Sequence, residues 1–406
     1  MQTTALRQQR RVDDYPYYRE ILRGRPLPLA YLDLDLFEEN IRQIASQSGS
    51  KRIRVASKSL RCVAALKRVL EADDCFQGIM CFTAREAVYL AGLGFKDLLI
   101  GYPTWNSEDL GLVAQATAEG AQITLMIDSL AHIDQIESVA EHYQVRLPVC
   151  LDIDMSVDFP GLYFGVRRSP LRRSDDVRPL IERLKHSEST WLDGVMGYEA
   201  QVAGLGDNAP GQAAKNSLIR RLKQRSIGLI ARRRQEIVEL IRTSGLTPRF
   251  VNGGGTGSEL TTRAEAVVTE ITVGSGFYSP ALFDNYKDFL YQPALGYAIE
   301  IVRKPAPGIY TCLGGGYTAS GAAGRDKLPQ PYLPEGARLI GQEGAGEVQT
   351  PILYVGIHRL DLGDPIFLRH AKAGEVCERF NQLLFIKKGT IVEEAPTYRG
   401  DGRCFL

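Results

Sequence analysis

The sequence lacks the features that would place it in a membrane or in an oxidising compartment. No apolar run approaches the roughly eighteen residues that a bilayer-spanning helix needs, and segment 1–11 lacks the apolar core of a signal peptide. The seven cysteines include no CxxC pair and are odd in number, a pattern typical of free thiols under reducing conditions. We therefore expect a cytoplasmic protein without a membrane span.

The sequence also has almost no net charge. The 49 basic and 48 acidic residues leave a formal charge of +1, which argues against a nucleic-acid-binding surface. The basic cluster 232–234 lies in a long amphipathic stretch, 217–246, and indicates the solvated face of a helix. A small molecule is therefore the expected partner, rather than a nucleic acid or a membrane.

Short apolar runs alternate with amphipathic segments of helical period along most of the chain. Each of eight such runs but the last is followed by a candidate helix, which is typical of parallel βαβ units. Eight units over roughly 230 residues have the size of a TIM-type (β/α)8 barrel. A doubly wound sheet is the alternative, because periodicity does not show closure. The runs are 52–57, 78–82, 97–102, 122–128, 147–154, 192–198, 249–252 and 268–274.

The rhythm ends after residue 283, which predicts a second domain. Residues 292–406 are rich in Gly and Pro and contain short alternating runs, such as 298–303, 352–357 and 383–387, without a convincing long helix. We therefore predict a barrel domain over 28–290 and a β-rich domain over 291–406. The N-terminal segment, 1–27, has no place in the barrel, and we expect it to add a strand to the second domain.

Three segments indicate a cofactor site at the mouth of the predicted barrel. Lys58 ends the first run, and two glycine-rich turns, 252–257 and 273–276, follow the seventh and eighth runs. Barrel enzymes carry their chemistry at these strand ends, often with a phosphate site after strands seven and eight. Glycines let backbone N–H groups approach a phosphate, and Thr256 and Ser275 add hydroxyl donors. An amine able to form a Schiff base beside a phosphate site predicts pyridoxal phosphate.

On these motifs the chain resembles the fold-type III pyridoxal-phosphate enzymes, which include D-threonine aldolases, D-serine dehydratases and alanine racemases. The residues after the lysine, Ser59-Leu-Arg61, differ from the Ala-Tyr-Gly of alanine racemases and favour the aldolase/dehydratase branch, often named amino-acid deaminase/aldolase. The matching segments occur in the family's order: Arg54-Val-Ala-Ser-Lys58, Leu162-Tyr-Phe-Gly-Val-Arg167, Gly197-Tyr-Glu199, Gly253-Gly-Gly-Thr-Gly257 and Glu270-Ile-Thr-Val-Gly-Ser275.

The resemblance implies a role for individual residues. Lys58 would form the Schiff base, Tyr198 would lie beside the cofactor as a second candidate catalytic group, and Arg167 would contact the cofactor ring. Tyr102, after the third run, is a further candidate for the pocket wall. The phosphate would be held by the two turns, through Gly254, Gly255, Thr256, Gly257, Gly274 and Ser275.

The chain departs from the branch in two places. The branch usually has histidines on both sides of its lysine, where this sequence has Ala56 and Leu60. The branch also binds a divalent metal through a C-terminal His-x-Cys or His-x-Asp; here Cys377 matches the cysteine, but Glu375 stands in the place of the histidine. Glu375, Cys377 and His370 remain acceptable metal ligands. The alternatives are Glu375 as a general base in a site that has lost its metal, or a buried cysteine beside a surface glutamate.

The resemblance implies a pyridoxal-phosphate-dependent lyase that acts on a β-hydroxy amino acid of D configuration. The reaction would be retro-aldol cleavage to glycine and an aldehyde, or dehydration followed by deamination. An amino-acid racemase, a non-catalytic pyridoxal-phosphate carrier and a barrel enzyme with a phosphorylated substrate remain alternatives, although such carriers lack a second domain. We also expect a homodimer, because in this group the second domain of one subunit usually completes the site of the other.

Overall fold

The computed structural model describes residues 14–406 and contains a closed barrel of eight parallel strands. The barrel closes where the eighth strand pairs with the first, with Val273 opposite Val55. All eight predicted runs supply a barrel strand, so the (β/α)8 prediction is confirmed and the doubly wound alternative is wrong. The strands are Arg52–Ala56, Phe76–Cys81, Leu98–Pro103, Ile123–Ile127, Leu147–Asp152, Thr190–Gly197, Phe250–Gly253 and Glu270–Val273.

Amphipathic helices surround the barrel and begin at polar caps. Asn106 and Ser129, for example, accept hydrogen bonds from backbone N–H groups of the first turns that follow them, which satisfies donors that a helix leaves unpaired. The longer helices are Leu34–Gln47, Val63–Leu70, Ala84–Gly92, Ser107–Ala118, Leu130–Tyr143, Ser174–Lys185 and Ala213–Thr243; the short ones are Ala200–Ala203, Glu259–Thr262 and Ser275–Tyr278. No helix within residues 14–406 has the length and apolar character to cross a bilayer.

A buried ion pair ties together the strands that carry the glycine turns and Lys58. Arg54, on the first strand, has no exposed side-chain surface, and its Nε lies 2.6 Å from Glu270 on the eighth strand. Its Nη2 lies 3.1 Å from Asp97. Asn252, on the seventh strand, donates to Glu270 and to Thr272, at 2.8 Å each. Since a buried charge is tolerated only with a full set of partners, these contacts fix the register of three strands at once.

Eight strands of the C-terminal region and the strand Leu29–Asp33 form a nine-stranded sheet, which confirms the β-rich prediction. Its central path runs Arg338–Leu339, Gln349–Leu353, Ile309–Leu313, Leu295–Ala306, Leu29–Asp33, Gln382–Lys387 and Thr390–Pro396; Pro365–Arg369 joins Leu295–Ala306 and carries Gln330–Leu333 beside it.

The strand Leu29–Asp33 belongs to this second sheet, although the sequence assigned residues from 28 onward to the barrel. It pairs antiparallel with Leu295–Ala306 and parallel with Gln382–Lys387. The physical reason is that eight strands already close the barrel, which leaves no free edge for a ninth. The segment expected to supply a strand, 1–27, contains the helix Asp14–Ile21 in its described part; residues 1–13 lie outside the described residues.

A loop of the second region packs directly on the Lys58 turn. A Cβ added to Gly374 would lie 2.8 Å from the carbonyl oxygen of Lys58, so only glycine allows this approach. Cys377 donates its Sγ–H to the Leu60 carbonyl at 3.3 Å, and Arg61 Nη1 lies 2.6 Å from Glu378. The loop that follows strand Pro365–Arg369 therefore forms part of the barrel mouth.

Candidate active site

A cavity of about 790 Å³ opens at the carboxyl ends of the barrel strands. Its volume lies within the range of roughly 300–1,000 Å³ that small-molecule sites occupy. The barrel contributes Lys58, Tyr102, Tyr198 and both glycine turns to its wall. The loops of the second region contribute Arg325–Lys327 and Lys372. The cavity is thus shared between the barrel and the second sheet.

Lys58 points into this cavity from a tight turn. The first barrel strand ends at Ala56, and residues 57–59 form one turn of 3₁₀-helix. Ser57 Oγ donates to the Met80 carbonyl at 2.9 Å, which anchors the turn to the second strand. Lys58 Nζ donates to the hydroxyl of Tyr102 at 2.8 Å, at the end of the third strand. The amine is therefore held by the neighbouring turn and by a phenol.

The groups around the amine are electrostatically coupled. Burial acts to raise the pKa of Tyr102, but the charges of Lys58 and Arg168 outweigh it and hold that pKa below the ordinary value. The Arg168 guanidinium lies 5.9 Å from the ring centroid of Tyr102 and 5.8 Å from that of Tyr198. Burial and the nearby Asp128 raise the pKa of Asp152 to about 7, although Arg168 opposes this. Arg168 therefore acts on both the Tyr102 phenol and the Asp152 carboxyl.

The two glycine turns meet beside the Lys58 turn. Gly276 N–H donates to Thr256 Oγ1 at 3.0 Å, which joins one turn to the other. A Cβ at Gly274 would lie 2.5 Å from Ser59 Oγ, so glycine is needed for this close packing. Gly254 has φ +80°, a conformation that favours glycine. The predicted residues that line the cavity are Gly254, Gly255, Thr256, Gly274 and Ser275.

Gly257 has a different role from the one predicted. It does not line the cavity, and a Cβ there would lie 2.1 Å from the carbonyl oxygen of Ala203. Its side-chain position is filled by neighbouring backbone rather than facing a ligand. The prediction that Gly257 contacts the phosphate is therefore not supported, because the turn has already curved into the protein at this residue.

Glu199 holds the first glycine turn in place through hydrogen bonds, a role that the sequence did not reveal. Its buried carboxylate accepts from Gly254 N–H at 3.2 Å, from Ser258 Oγ at 2.9 Å and from Thr262 Oγ1. It also lies 2.9 Å from Nη2 of the fully buried Arg234. Because Glu199 occupies the Gly254 N–H, that group is not free to bind a phosphate, contrary to expectation.

The arginine at the cavity is Arg168 rather than Arg167. Arg167 does not line the cavity, and its guanidinium lies 4.2 Å from the ring centroid of Tyr163, on the hairpin that follows the fifth strand. Arg168 lines the cavity beside Tyr102 and Tyr198. The sequence predicted an arginine after the fifth strand, and an arginine from this loop does line the cavity. Only the path of the loop shows which of the two adjacent arginines it is.

The predicted metal ligands do not meet. Within residues 14–406, no group of three or more His, Cys, Asp or Glu side chains could hold a metal ion. Cys377 is buried against the Leu60 carbonyl, and His370 is fully buried away from the cavity. Glu375 accepts from the backbone N–H of Ser320 at 3.1 Å. None of these three predicted ligands lines the cavity, so the residues present do not fit a metal, nor do they place Glu375 as a general base.

Sequence reasoning also missed a group of cations on the cavity wall. These residues lie in loops of the second region and on the long helix, where their spacing in sequence carries no signal. Their presence makes the wall opposite the barrel strands basic. They are Lys215, Arg325, Lys327 and Lys372.

A lysine and two glycine turns at the mouth of a closed barrel, beside a second β-rich region, define a fold-type III pyridoxal-phosphate protein. The chain belongs to the alanine racemase N-terminal domain family, whose model matches residues 32–280. This match covers the barrel and includes Lys58 and both glycine turns.

Comparison with known proteins gives distant relatives. The chain is 22% identical over 262 residues to 3-hydroxy-D-aspartate aldolase of Paracoccus denitrificans (strain Pd 1222), covering 64% of this chain and 62% of that relative. It is 24% identical over 291 residues to D-threonine aldolase of an Arthrobacter species, covering 69% of each. The crystal structure of D-threonine aldolase from Filomicrobium marinum superposes with a TM-score of 0.78 at 19% identity, over 94% of this chain and 96% of that one, and so shares the fold.

Pyridoxal phosphate is the cofactor that the family implies, and the cavity fits it. A primary amine projects into the space and donates a hydrogen bond to the Tyr102 hydroxyl. Thr256 and Ser275 offer hydroxyl groups from two turns whose close packing requires glycine at the neighbouring positions. The basic wall suits a phosphorylated ligand. No other feature of the described residues is required to accommodate the group.

Proposed function

We propose that the protein is a pyridoxal-phosphate-dependent lyase that acts on β-hydroxy D-amino acids, by retro-aldol cleavage or by dehydration. The observation that carries this proposal is the Lys58 amine, held at 2.8 Å by Tyr102 in the cavity that both glycine turns line. The relatives named 3-hydroxy-D-aspartate aldolase and D-threonine aldolase support the lyase class. Their names favour retro-aldol cleavage over racemisation.

Five side chains would hold the cofactor. Lys58 would bind its aldehyde carbon, and the hydroxyls of Thr256 and Ser275 would bind its phosphate. Tyr198 and Arg168 would lie against its ring, since both line the cavity and the Arg168 guanidinium lies 5.8 Å from the Tyr198 ring centroid. When bound, pyridoxal phosphate accepts the electron pair released as a bond at the amino-acid α-carbon breaks. An arginine near the ring influences how readily the ring accepts that pair.

The protein must move two protons in a retro-aldol reaction: one leaves the β-hydroxyl, and one is added to the α-carbon. The Tyr102 hydroxyl and Lys58 Nζ form a hydrogen-bonded pair able to carry both. The lowered pKa of Tyr102 favours its phenolate form as acceptor of the β-hydroxyl proton. Lys58 Nζ then supplies the proton for the α-carbon. Tyr198 suits this work less, because burial raises its pKa to about 12.

The same pair would serve dehydration if Lys58 Nζ removed the α-proton and the β-hydroxyl left as water. Racemisation would need a further proton carrier on the face opposite Lys58. The product therefore identifies the reaction. Glycine plus an aldehyde indicates cleavage, ammonia plus a keto acid indicates dehydration, and the enantiomer alone indicates racemisation.

The protein is proposed to act as a cytoplasmic homodimer with two domains per chain. In this proposal residues 28–290 are the barrel domain and residues 291–406 the second domain, although strand Leu29–Asp33 pairs within the second sheet. The second domain carries two nearly fully exposed apolar side chains, Val355 and Ile357, which suit contact with another subunit. All seven cysteines are free, as expected in a reducing compartment. Light scattering of the purified protein tests the dimer.

The cofactor is tested with the purified full-length chain and added pyridoxal phosphate. A visible absorbance band that borohydride bleaches is expected in the wild type and absent in Lys58→Ala. The exposed Lys67, on the helix Val63–Leu70, provides the control variant Lys67→Ala, which should keep the band. A band that persists in Lys58→Ala would contradict the proposal. Incubation with D-threonine and with 3-hydroxy-D-aspartate, followed by analysis of products, then tests the reaction.

A further inference from the structure

Lys372 stands on the part of the cavity wall that the second domain supplies. It lines the cavity together with Lys327 and Arg325. Its Nζ donates to the carbonyl oxygen of Ser320 at 3.1 Å and to the Ser320 hydroxyl at 3.3 Å. An ammonium group has three donors, so these two contacts leave a third for a ligand. Ser320 thus orients the ammonium without saturating it.

The backbone that carries Lys372 is fixed to the barrel on both sides. The carbonyl of His370 accepts from Ala281 N–H at 3.0 Å, and that of Ala371 accepts from Leu282 N–H at 3.1 Å. On the other side, Gly374 packs on the carbonyl of Lys58. The position of Lys372 relative to Lys58 is therefore set by contacts two residues away in each direction, which is the rigidity that a functional group requires.

The surroundings of Lys372 disfavour a metal ion. Glu375 attracts its positive charge, whereas Lys327, Lys58 and Arg168 repel it. Asp326 also lines the cavity, but its carboxylate is paired with Lys327. A divalent cation placed at this wall would meet the same positive charges without a ligand set to hold it. An electron-rich oxygen of a ligand would instead relieve the repulsion. The sequence His370-Ala-Lys372 also has the spacing of the His-x-Cys and His-x-Asp metal motifs, but it ends in a cation.

We propose that the Lys372 ammonium binds the oxygen on the substrate's β-carbon and takes the place of a divalent metal there. This inference rests on the proposed lyase function, because it concerns the β-hydroxyl group of that substrate. Lys372 stabilises the negative charge that develops on this oxygen when its proton leaves. The protein accordingly works without a metal ion at the barrel mouth.

The first test compares wild type, Lys372→Met and Lys372→Arg, with Lys388→Met as a control on an exposed lysine of the same domain. Removing one positioned donor at a developing oxyanion typically lowers kcat by about 10²–10³-fold. We expect a loss of that size in Lys372→Met, partial recovery in Lys372→Arg and no change in Lys388→Met. The cofactor band should persist in all four proteins. A kcat reduced less than about threefold in Lys372→Met would overturn the proposal, as would a loss confined to KM for 3-hydroxy-D-aspartate.

Metal content and ligand binding provide two further tests of the proposal. Elemental analysis should find less than one metal ion per holoprotein chain, and prolonged chelation should leave the activity unchanged. Stoichiometric metal whose removal abolishes activity would contradict the proposal.

Shifts of the cofactor band report binding of D-threonine and of D-2-aminobutyrate, which lacks the β-hydroxyl. Wild type should prefer D-threonine, and Lys372→Met should lose that preference. If Lys372→Met kept the wild-type preference for D-threonine, the role of Lys372 would be refuted, whether or not the protein is a lyase. If only the proposed function failed, wild type would still prefer D-threonine and Lys372→Met would still lose that preference, but no products would form.

Discussion

Replacement of Glu199 by alanine is expected to destabilise the fold and weaken cofactor binding together. The carboxylate is buried and forms an ion pair with Arg234, which is also fully buried. Removing one partner of such a pair usually costs about 3–5 kcal/mol, because the remaining charge is left without compensation. Arg234 keeps a second partner, Glu265, so the lower end of that range applies. We therefore expect the free energy of unfolding to fall by about 3 kcal/mol.

The effect on the cofactor follows from the other contacts of Glu199. The carboxylate holds the Gly254 N–H and the hydroxyls of Ser258 and Thr262, so its loss releases the turn that would bind the phosphate. Unpaired buried donors cost about 1–3 kcal/mol each, which the turn avoids by moving. A displaced turn should weaken cofactor binding by about tenfold or more, since 1.4 kcal/mol corresponds to a factor of ten.

Glu265→Ala provides the matched control, because it removes the other partner of the same arginine without contacting the glycine turn. Urea unfolding should show a comparable loss of stability in both variants. Titration of the apoprotein with pyridoxal phosphate should show weaker binding in Glu199→Ala alone. If both variants lost affinity equally, Glu199 would act only through Arg234, and the reasoning about the turn would be refuted.

Three further predictions concern Tyr102, Glu259 and Gly257. Tyr102→Phe should keep the cofactor band but lower kcat by roughly 10²-fold, as expected for loss of a positioned proton carrier. In an alkaline spectrophotometric titration of the wild type, Tyr102 should ionise at a lower pH than ordinary tyrosines. The variant Arg168→Met should shift the pKa of Tyr102 upward. Burial raises the pKa of Glu259 from 4.5 to about 8, so the folded state retains a proton that the unfolded state releases. The free energy of unfolding should therefore fall as the pH rises through this interval. In urea unfolding, Glu259→Gln should make the free energy of unfolding depend less on pH. Gly257→Ala should lower the unfolding free energy by about 1–3 kcal/mol, because its Cβ would collide with the Ala203 carbonyl; unaltered stability would contradict this packing.

Much of the barrel could be predicted because its strands are local patterns. The fourth barrel strand, Ile123–Ile127, is buried along its whole length, as expected of a parallel strand covered on both faces. Closure could not be read in this way, because it depends on the pairing of Val273 with Val55, far apart in the chain. The same limit explains Leu29–Asp33: its alternation indicates a strand but not which of two sheets will pair with it.

The candidate site likewise contains residues that short sequence patterns identify and residues that only the fold brings together. Lys58 and the glycine turns were recognisable because a strand end, a lysine and a glycine-rich loop are features of a few consecutive residues. The resemblance made Cys377 and Glu375 candidate metal ligands, with a general base or a buried cysteine beside a surface glutamate as alternatives. The loop turns both side chains away from the cavity, one under the Leu60 carbonyl and the other toward Ser320. The residue that the loop presents to the cavity is Lys372, whose neighbours come from distant parts of the chain.

The sequence by itself therefore determined the barrel strands, the amine at the end of the first and the glycine turns after the last two. Each of these depends on side-chain periodicity or on backbone freedom within a short segment. The tertiary structure decided which of two adjacent arginines reaches the cavity, that Glu199 supports the first turn, and that Lys372, rather than Glu375 or Cys377, lines the cavity from the second region. Those outcomes depend on the close packing of segments that are distant in the sequence, where the direction of a loop changes which side chain reaches the site.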